Sequence, residues 1–470
     1  MTSKPNKILF LVPDGVGVRN YLYSDIIAQL KQTATVCVWS SLPKEAFESV
    51  EKLHAIKIEH QFLPLKKQSI ATKIATESAT YARLLSNAKL VDNPTIMFNW
   101  NNKGINFKQV IQKKISKSLG LWASKKYNRI LWLEKISDSF WSSKMIASYE
   151  KQLKALQPSV VFITHQRVAA LMPVCLAANA LKIKVVSAIY SWDNLPKARL
   201  AVKADYYLVW SDYMKKEMEL YYPEIAPEKV VVTGTPQFEF YIKKDTIVSR
   251  EEFAAIYNLD VAKKWLCFSG NDALSSPYDH QYLEDVADAV ATMEAGTRPE
   301  IIFRKSPADV DNRFTTILAK HSSFITAIEP VWKNYGEGWG SNFPKIEDVS
   351  LLVNLAFHCD MVVNIGSTMA HDFAIYNKPC LYLNYNQTYS AYWDVETIYN
   401  FQHFRSMGDL DAVGWITNKK AILKKINEAL EFPLAIASQR KLWIERVVRH
   451  PLEESSELIA AVLLQSKTGS

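Results

Sequence analysis

The chain has 470 residues, of which 48% are hydrophobic and 22% charged, and its formal net charge is +8. That composition excludes a disordered or low-complexity polymer, and the length exceeds the roughly 250–300 residues at which a single core stops growing, so two domains are expected. Five widely spaced cysteines (Cys37, Cys175, Cys267, Cys359 and Cys380) sit in apolar surroundings without a CxxC pair, which suits free core thiols better than a disulfide frame or a zinc site.

The first apolar run, Ile8–Val12, is too short for the core of a signal peptide. The run Val168–Leu181 contains Pro173 and Asn179 and falls short of the roughly 20 residues that span a bilayer, so it reads as a buried helix. A cytoplasmic protein is expected, with any membrane contact peripheral and on the inner face. Strands are predicted at Lys7–Val12, Thr35–Trp39, Ser159–Thr164, Lys184–Ala188, Tyr206–Val209 and Val230–Val232, then at Trp265–Ser269, Glu300–Arg304, Met361–Asn364 and Pro379–Leu383. Most are unbroken runs of Val, Ile, Leu or Phe, the pattern of parallel strands covered on both faces. Helical stretches separate them, which implies βαβ units. The expected division is an N-terminal Rossmann-like domain over 1–236, a second over 237–430 and closing helices over 431–470. Ser249 is placed to cap the first helix after the boundary.

Between Asn93 and Leu133 there are eight Lys or Arg and no Asp or Glu, and Phe107, Ile111, Ile115, Leu119 and Trp122 recur near helical spacing. This is a basic amphipathic helix, expected either to dock its apolar face on the first domain or to meet an anionic membrane surface. No zinc-finger, RRM or KH signature accompanies it, so nucleic acid is not an expected partner.

Candidate chemistry gathers at strand ends. After the first strand, Pro13-Asp14-Gly15-Val16-Gly17-Val18-Arg19-Asn20 brings backbone to the cleft where α/β folds bind ligands. Asp14 is a candidate general base on an acceptor hydroxyl, and Arg19 a candidate counter-charge for phosphate; the plainer alternative is a glycine turn held by an Asp14–Arg19 contact. His165 follows the strand Ser159–Thr164, and an imidazole titrating near ~6.5 suits proton transfer. In Tyr190-Ser191-Trp192-Asp193-Asn194, Asp193 is a further candidate base, and Trp192 with Asn194 a candidate acceptor surface. The loop Gly270–Pro277 offers Ser275 to a donor phosphate, and Arg304 with Lys305 offers positive charge at another strand end. The loop from Pro330 to Phe343, with Trp332, Tyr335 and Trp339, is long enough to stack a nucleobase or gate the cleft. Finally, Gly366-Ser367-Thr368 turns a strand into a helix that carries Asp372. A glycine lets the backbone approach closely, two hydroxyls and free N–H groups suit a pyrophosphate, and Thr368 and Asp372 share a helix face. An ordinary capped helix would look the same.

Three stretches carry a resemblance: Gly366-Ser367-Thr368 with Asp372, Val231-Val232-Thr233-Gly234-Thr235-Pro236 as a "VTGxP" strand end, and Ser191-Trp192-Asp193-Asn194. They make the sequence similar to the GT-B superfamily of nucleotide-sugar glycosyltransferases, and more narrowly to its bacterial polysaccharide-transferase and CDP-glycerol glycerophosphotransferase branch. The resemblance implies two Rossmann-like domains facing across a cleft, with C-terminal helices crossing back to the first. The second domain would bind the donor, with Ser367 and Thr368 on its diphosphate, Asp372 on ribose or sugar, and Gly366 and Gly234 where backbone meets phosphate. The implied activity is metal-independent transfer of a sugar from a nucleotide-sugar donor to a hydroxyl of a glycan or lipid-linked acceptor in surface-polysaccharide synthesis. The donor is a substrate, so no cofactor is expected. The alternatives are transfer of a polyol phosphate from a CDP-activated donor and a catalytically silent GT-B-like scaffold. One departure stands out. Many relatives carry "RPHP" or "KPHP" where this chain has Arg304-Lys305-Ser306-Pro307, and the missing histidine counts against the polyol-phosphate alternative.

Overall fold

A computed structural model of the chain describes residues 6–100, 106–336, 341–388, 390 and 392–465. The first sheet contains β1 (Asn6–Val12), β2 (Ala34–Ser40), β3 (Glu59–Phe62), β4 (Val160–Ile163), β5 (Lys184–Ala188), β6 (Tyr206–Val209) and β7 (Val230–Val232). The second contains β8 (Trp265–Ser269), β9 (Glu300–Arg304), β10 (Ile325–Ile328), β13 (Met361–Asn364), β14 (Cys380–Leu383) and β15 (Gly414–Ile416), and a separate hairpin pairs β11 (Trp332–Asn334) with β12 (Asn342–Pro344). Spatial order is β3-β2-β1-β4-β5-β6-β7 in one sheet and β10-β9-β8-β13-β14-β15 in the other. Every pairing within the two large sheets is parallel.

Parallel strands need covering helices on both faces, because the crossover connections lie there. The residues comply: Ile8 to Val12 and Val161 to Ile163 are fully buried, as are Leu266 to Phe268 and Met361 to Val363. All ten strands expected from apolar runs form. The strands that the apolar pattern does not reveal are β3, β10, β11, β12 and β15. β3 is a polar, mostly exposed edge strand, and β11, β12 and β15 are only three residues long. The helix Met172–Ala180 is buried where the apolar run 168–181 predicts it, and Ser249 caps Arg250–Tyr257 by accepting from the Glu252 N–H at 3.0 Å. The five cysteines are free and buried. Among the described residues no helix is long and apolar enough to cross a membrane.

The first sheet ends at Val232, and the 3-10 segment Pro236–Ile242 leads toward the second. The chain then crosses back. The helix Arg440–Val447 lies against both Met369–Ile375 and Asp212–Tyr221, and the helix Ser455–Leu464 lies against Ile26–Leu30. Polar ties fix this return: the Arg449 N–H donates to the Trp210 carbonyl (2.7 Å), Lys184 Nζ donates to the Gln465 carbonyl (3.0 Å), and the Glu239 carboxylate accepts from both the N–H and hydroxyl of Ser456. One apolar cluster consequently runs from Phe10 and Phe162 through Trp443 to Cys267 and Val362.

Candidate active site in the cleft

The C-terminal ends of β8, β9 and β13 meet the segment around Arg19 and Tyr241 across a cavity of about 200 Å³. Such a position, beyond the carboxyl ends of parallel strands, is where open α/β sheets bind ligands. Ser367, Thr368 and Asp372 line it on one side and Arg304 with Ser306 on another; Arg19, Gln237, Phe240 and Tyr241 close it.

The turn after β13 is built for close approach. Gly366 has φ +61°, a conformation that strains any side chain, and a Cβ there would stand 3.0 Å from the Phe404 ring. Asn364 Oδ1 accepts from the Ser367 N–H (2.9 Å), Ser367 Oγ accepts from the Met369 N–H (3.3 Å), and the Tyr382 hydroxyl donates to the Ser367 carbonyl (3.0 Å). The two serine hydroxyls, Ser269 and Ser367, lie 3.4 Å apart. The helix Met369–Ile375 starts one residue later than an Ser367 cap would place it, and Thr368 makes no capping bond with its side chain. Its hydroxyl is therefore left to the exposed wall of the cavity.

Asp372 stands one turn further on. Burial pushes its carboxyl up to about 6, against the opposing pull of the Tyr241 hydroxyl and the charges of Arg19 and Arg304. Arg304 is itself buried and held by Asp348, whose two oxygens each accept from Nη2 at 3.1 Å. The same carboxylate accepts from the Val331 N–H (2.9 Å) and from Trp332 Nε1 (2.8 Å). Asp348 thus sets both a guanidinium and an indole at the cavity wall, while Arg304 Nε has no partner among the described residues. Arg19 donates from Nε to Asn20 Oδ1 (2.9 Å), and Asn20 donates to Gln237 (3.0 Å). Two arginines from opposite sides of the cleft therefore reach one space.

The opening loop does something other than its glycines suggest. A Cβ on Gly15 would fall 2.2 Å from the Asn342 carbonyl oxygen in β12, and one on Gly17 would fall 2.6 Å from Thr164 Oγ1. The glycines serve contact between the first domain and the hairpin, and between loop and sheet. Asp14 forms no hydrogen bond or ion pair with Arg19, which bonds Asn20 instead. Asp14 Oδ1 accepts from the Gly17 N–H (3.0 Å) and its Oδ2 lies 2.8 Å from His165 Nδ1. With 5% exposure and both oxygens engaged, Asp14 is not placed to take a proton from an acceptor. His165, stacked on Tyr190 at 3.8 Å between ring centroids, retains a partly exposed side chain but, like Asp14, stands outside the lining of the 200 Å³ cavity.

Several other expected site residues lie elsewhere. Trp192 is buried, with its ring edge-to-face against His371, His403, Phe404 and Trp443, so it presents no surface for a sugar. Asn194 is buried and joins Gln166 (3.2 Å) to Asp193 (2.8 Å). Asp193 is ion-paired with Lys197; burial opposes its charge, but Lys197 and His403 outweigh burial and hold it well below the carboxylate range, so it is a poor base. It faces a separate cavity of about 110 Å³ with Phe98, Phe401 and His403. Gly234 (φ +74°) serves the crossing helix, since a Cβ there would stand 2.3 Å from Ser455 Oγ. Ser275 donates to Asp272 (2.8 Å) and Lys305 to the Asp311 carbonyl (2.7 Å), and neither lines the cleft. Of the aromatic loop, Trp332 lines the cavity, Tyr335 packs on Phe343, and Trp339 lies outside the described residues. From the loop Gly270–Pro277 it is Gly270 and Asn271, not Ser275, that line the cavity, and Gln237, Phe240 and Tyr241 join the site without a sequence motif of their own. The aromatic cluster directly after Pro236 was the available signal.

No protein-family model and no curated protein matches the sequence. Solved structures do match in shape. The S. aureus MnaA structure with UDP superimposes with a TM-score of 0.53 at 14% identity, covering 99% of each chain. A putative UDP-N-acetylglucosamine 2-epimerase from Listeria monocytogenes gives 0.54 at 11% identity, covering 97% of this chain and 95% of its own. A glycosyltransferase from Rickettsia africae gives 0.50 at 11% identity, covering 99% and 100%. With two parallel α/β sheets facing across a cleft and a C-terminal segment returning to the first, this chain has the GT-B fold.

Proposed function

We propose that the chain is a glycosyltransferase that holds a nucleotide-sugar donor in the interdomain cleft and passes the sugar to a hydroxyl of a glycan or lipid-linked acceptor. The observation that carries this reading is the convergence of Arg19, Arg304, Ser367, Thr368 and Asp372 on one cavity. Two guanidiniums suit a diphosphate, because they stay charged and present forked donors. Asp372 suits hydroxyl groups of ribose or sugar. Two proteins of the same fold were solved with UDP and with UDP-GlcNAc, which supports a nucleotide ligand for this one.

In this reading His165 is the base and Asp14 its positioning residue. Asp14 Oδ2 accepts from Nδ1–H, which leaves the Nε2 lone pair free for the acceptor proton. The acceptor oxygen bonds to the anomeric carbon, its proton passes to Nε2, and the bond between that carbon and the diphosphate oxygen breaks. The charge that develops on the leaving diphosphate falls between Arg19 and Arg304, where fixed donors stabilise it without reorganisation.

Ser306 bears on the polyol-phosphate alternative. It lines the cavity itself, so the histidine associated with that branch is missing from the wall and not merely displaced. Titration with UDP, GDP, CMP and CDP tests the main reading, with binding of one or more expected at the cleft. Failure of all four to bind or to raise thermal stability would overturn it. Acceptor-independent epimerisation of UDP-N-acetylglucosamine, followed by NMR, would replace transfer with isomerisation.

A further inference from the structure

The basic segment of the first domain is folded with its large apolar side chains outward. The helix Phe107–Ala123 buries Ser116, Gly120 and Ala123. Gly120 approaches so closely that a Cβ would meet Tyr81 at 2.8 Å and the Ser78 carbonyl at 2.9 Å. Small residues thus make the intramolecular contact with the helix Ile70–Leu90. At 100° per residue Phe107, Ile111 and Trp122 fall on the far side and Ile115 on its flank, and the four are 79%, 41%, 43% and 43% exposed in the order Phe107, Ile111, Ile115, Trp122. The next helix, Tyr127–Ser139, adds Trp132, 52% exposed and edge-to-face with Trp122 at 5.9 Å.

The charges around this face are positive. Lys108, Lys114, Lys117, Lys125 and Lys126 are exposed, and Arg129 lies over the Trp122 ring at 4.6 Å. The nearby acids are already committed: Glu77 to Lys113 (2.7 Å) and Glu134 to the buried Arg83 (2.9 Å). Arg83 also binds Glu224 (2.8 Å) and the Tyr221 carbonyl (3.0 Å), so the helical layer is anchored to the first domain without drawing on the outer face.

We propose that this face docks the protein on an anionic lipid bilayer, with Phe107, Ile111, Ile115, Trp122 and Trp132 entering the headgroup boundary and the lysines meeting acidic headgroups. Exposed apolar side chains in this number mark an interaction site, and lysines beside Trp and Phe on one helix are the pattern of an in-plane membrane anchor. A second copy of the chain is the competing occupant, but it would set one lysine-rich, acid-free face against another. Charge complementarity selects the acidic bilayer.

The test is flotation of the full-length protein with phosphatidylcholine vesicles and with vesicles containing phosphatidylglycerol. Binding is expected to the anionic vesicles at low salt, to weaken at 0.5 M NaCl, and to fall at least about tenfold in Lys108→Glu/Lys114→Glu/Lys117→Glu. A second variant, Ile111→Glu/Trp122→Glu, is expected to lose binding while retaining its thermal transition, because both side chains stand outside the core. The inference is overturned if the protein fails to float with anionic vesicles at low salt, or if the variants float as the parent does. It is equally overturned if Ile111→Glu dissolves a concentration-dependent dimer, which would make the second copy the occupant.

Discussion

His165 Nδ1 and Asp14 Oδ2 lie 2.8 Å apart although 151 residues separate them in sequence. β1 and β4 are adjacent parallel strands, and each residue stands just past the end of its strand. In the proposed mechanism a carboxylate in this position selects the imidazole tautomer and supports the positive charge a base would acquire. Asp14→Asn keeps an oxygen to cap Gly17 but loses that charge. It is expected to lower kcat by about 10²–10⁴-fold with the nucleotide Kd unchanged. His165→Gln is expected to do at least as much. Steady-state kinetics together with calorimetry separate the two effects, and a raised nucleotide Kd in either variant would contradict the assignment.

Arg19 is the cleaner of the two cleft arginines to remove. Among the described residues it forms no ion pair, Asp372 keeps Tyr241 and Arg304 when it is removed, and a charge-assisted contact is worth about 1.5–3 kcal/mol. Arg19→Ala is expected to weaken nucleoside-diphosphate binding by roughly 10–100-fold with little change in Tm. Arg304→Ala is expected to weaken binding and also to destabilise the fold by about 3–5 kcal/mol, since it strands the fully buried Asp348. Calorimetry and thermal unfolding of the two variants distinguish these outcomes.

Asp372 couples stability to pH. Its folded-state value is raised from 3.8 to about 6 by burial. Below pH 4 folded and unfolded states both hold the proton. Between pH 4 and 6 the unfolded chain releases it first, so stability falls as pH rises, and the full cost is present above pH 6. Asp372→Asn removes that cost and is expected to raise stability at pH 7.5 by up to about 3 kcal/mol, with no gain at pH 4. If Asp372 meets the donor as proposed, the same substitution weakens binding of the nucleotide sugar, a trade of stability for function. Denaturant unfolding at the two pH values measures the first effect, and titration with donor measures the second.

Gly15 joins the domains. Any side chain there meets the Asn342 carbonyl at 2.2 Å, and backbone cannot yield as a flexible side chain would. Gly15→Ala is expected to cost about 1–3 kcal/mol and to push the hairpin β11–β12 from the opening loop, with loss of turnover. Small-angle scattering should show a larger radius of gyration. An unchanged radius with full activity would mean that the contact is incidental.

Much of the architecture could be read from local chemistry. Strands such as Ile8–Val12 and Leu266–Phe268 have one apolar residue after another, and only a position covered on both faces rewards that pattern. The turn at Gly366, the acid one helical turn after Thr368 and the Ser249 cap are likewise contained within a few residues. Tertiary structure decided what those signals could not. Trp192 has the composition of a sugar platform, yet it is enclosed by His371, His403 and Trp443 from distant parts of the chain. Phe107 and Trp122 have the spacing of a docking face, yet Ser116 and Gly120 take the contact because small residues let two helices approach. Asp14 has the local look of a free carboxylate, yet the Gly17 N–H and His165, brought in at the end of β4, take up its two oxygens. Periodicity records which side chains leave water; their neighbours across the fold settle which atoms they touch, and chemistry depends on the atoms.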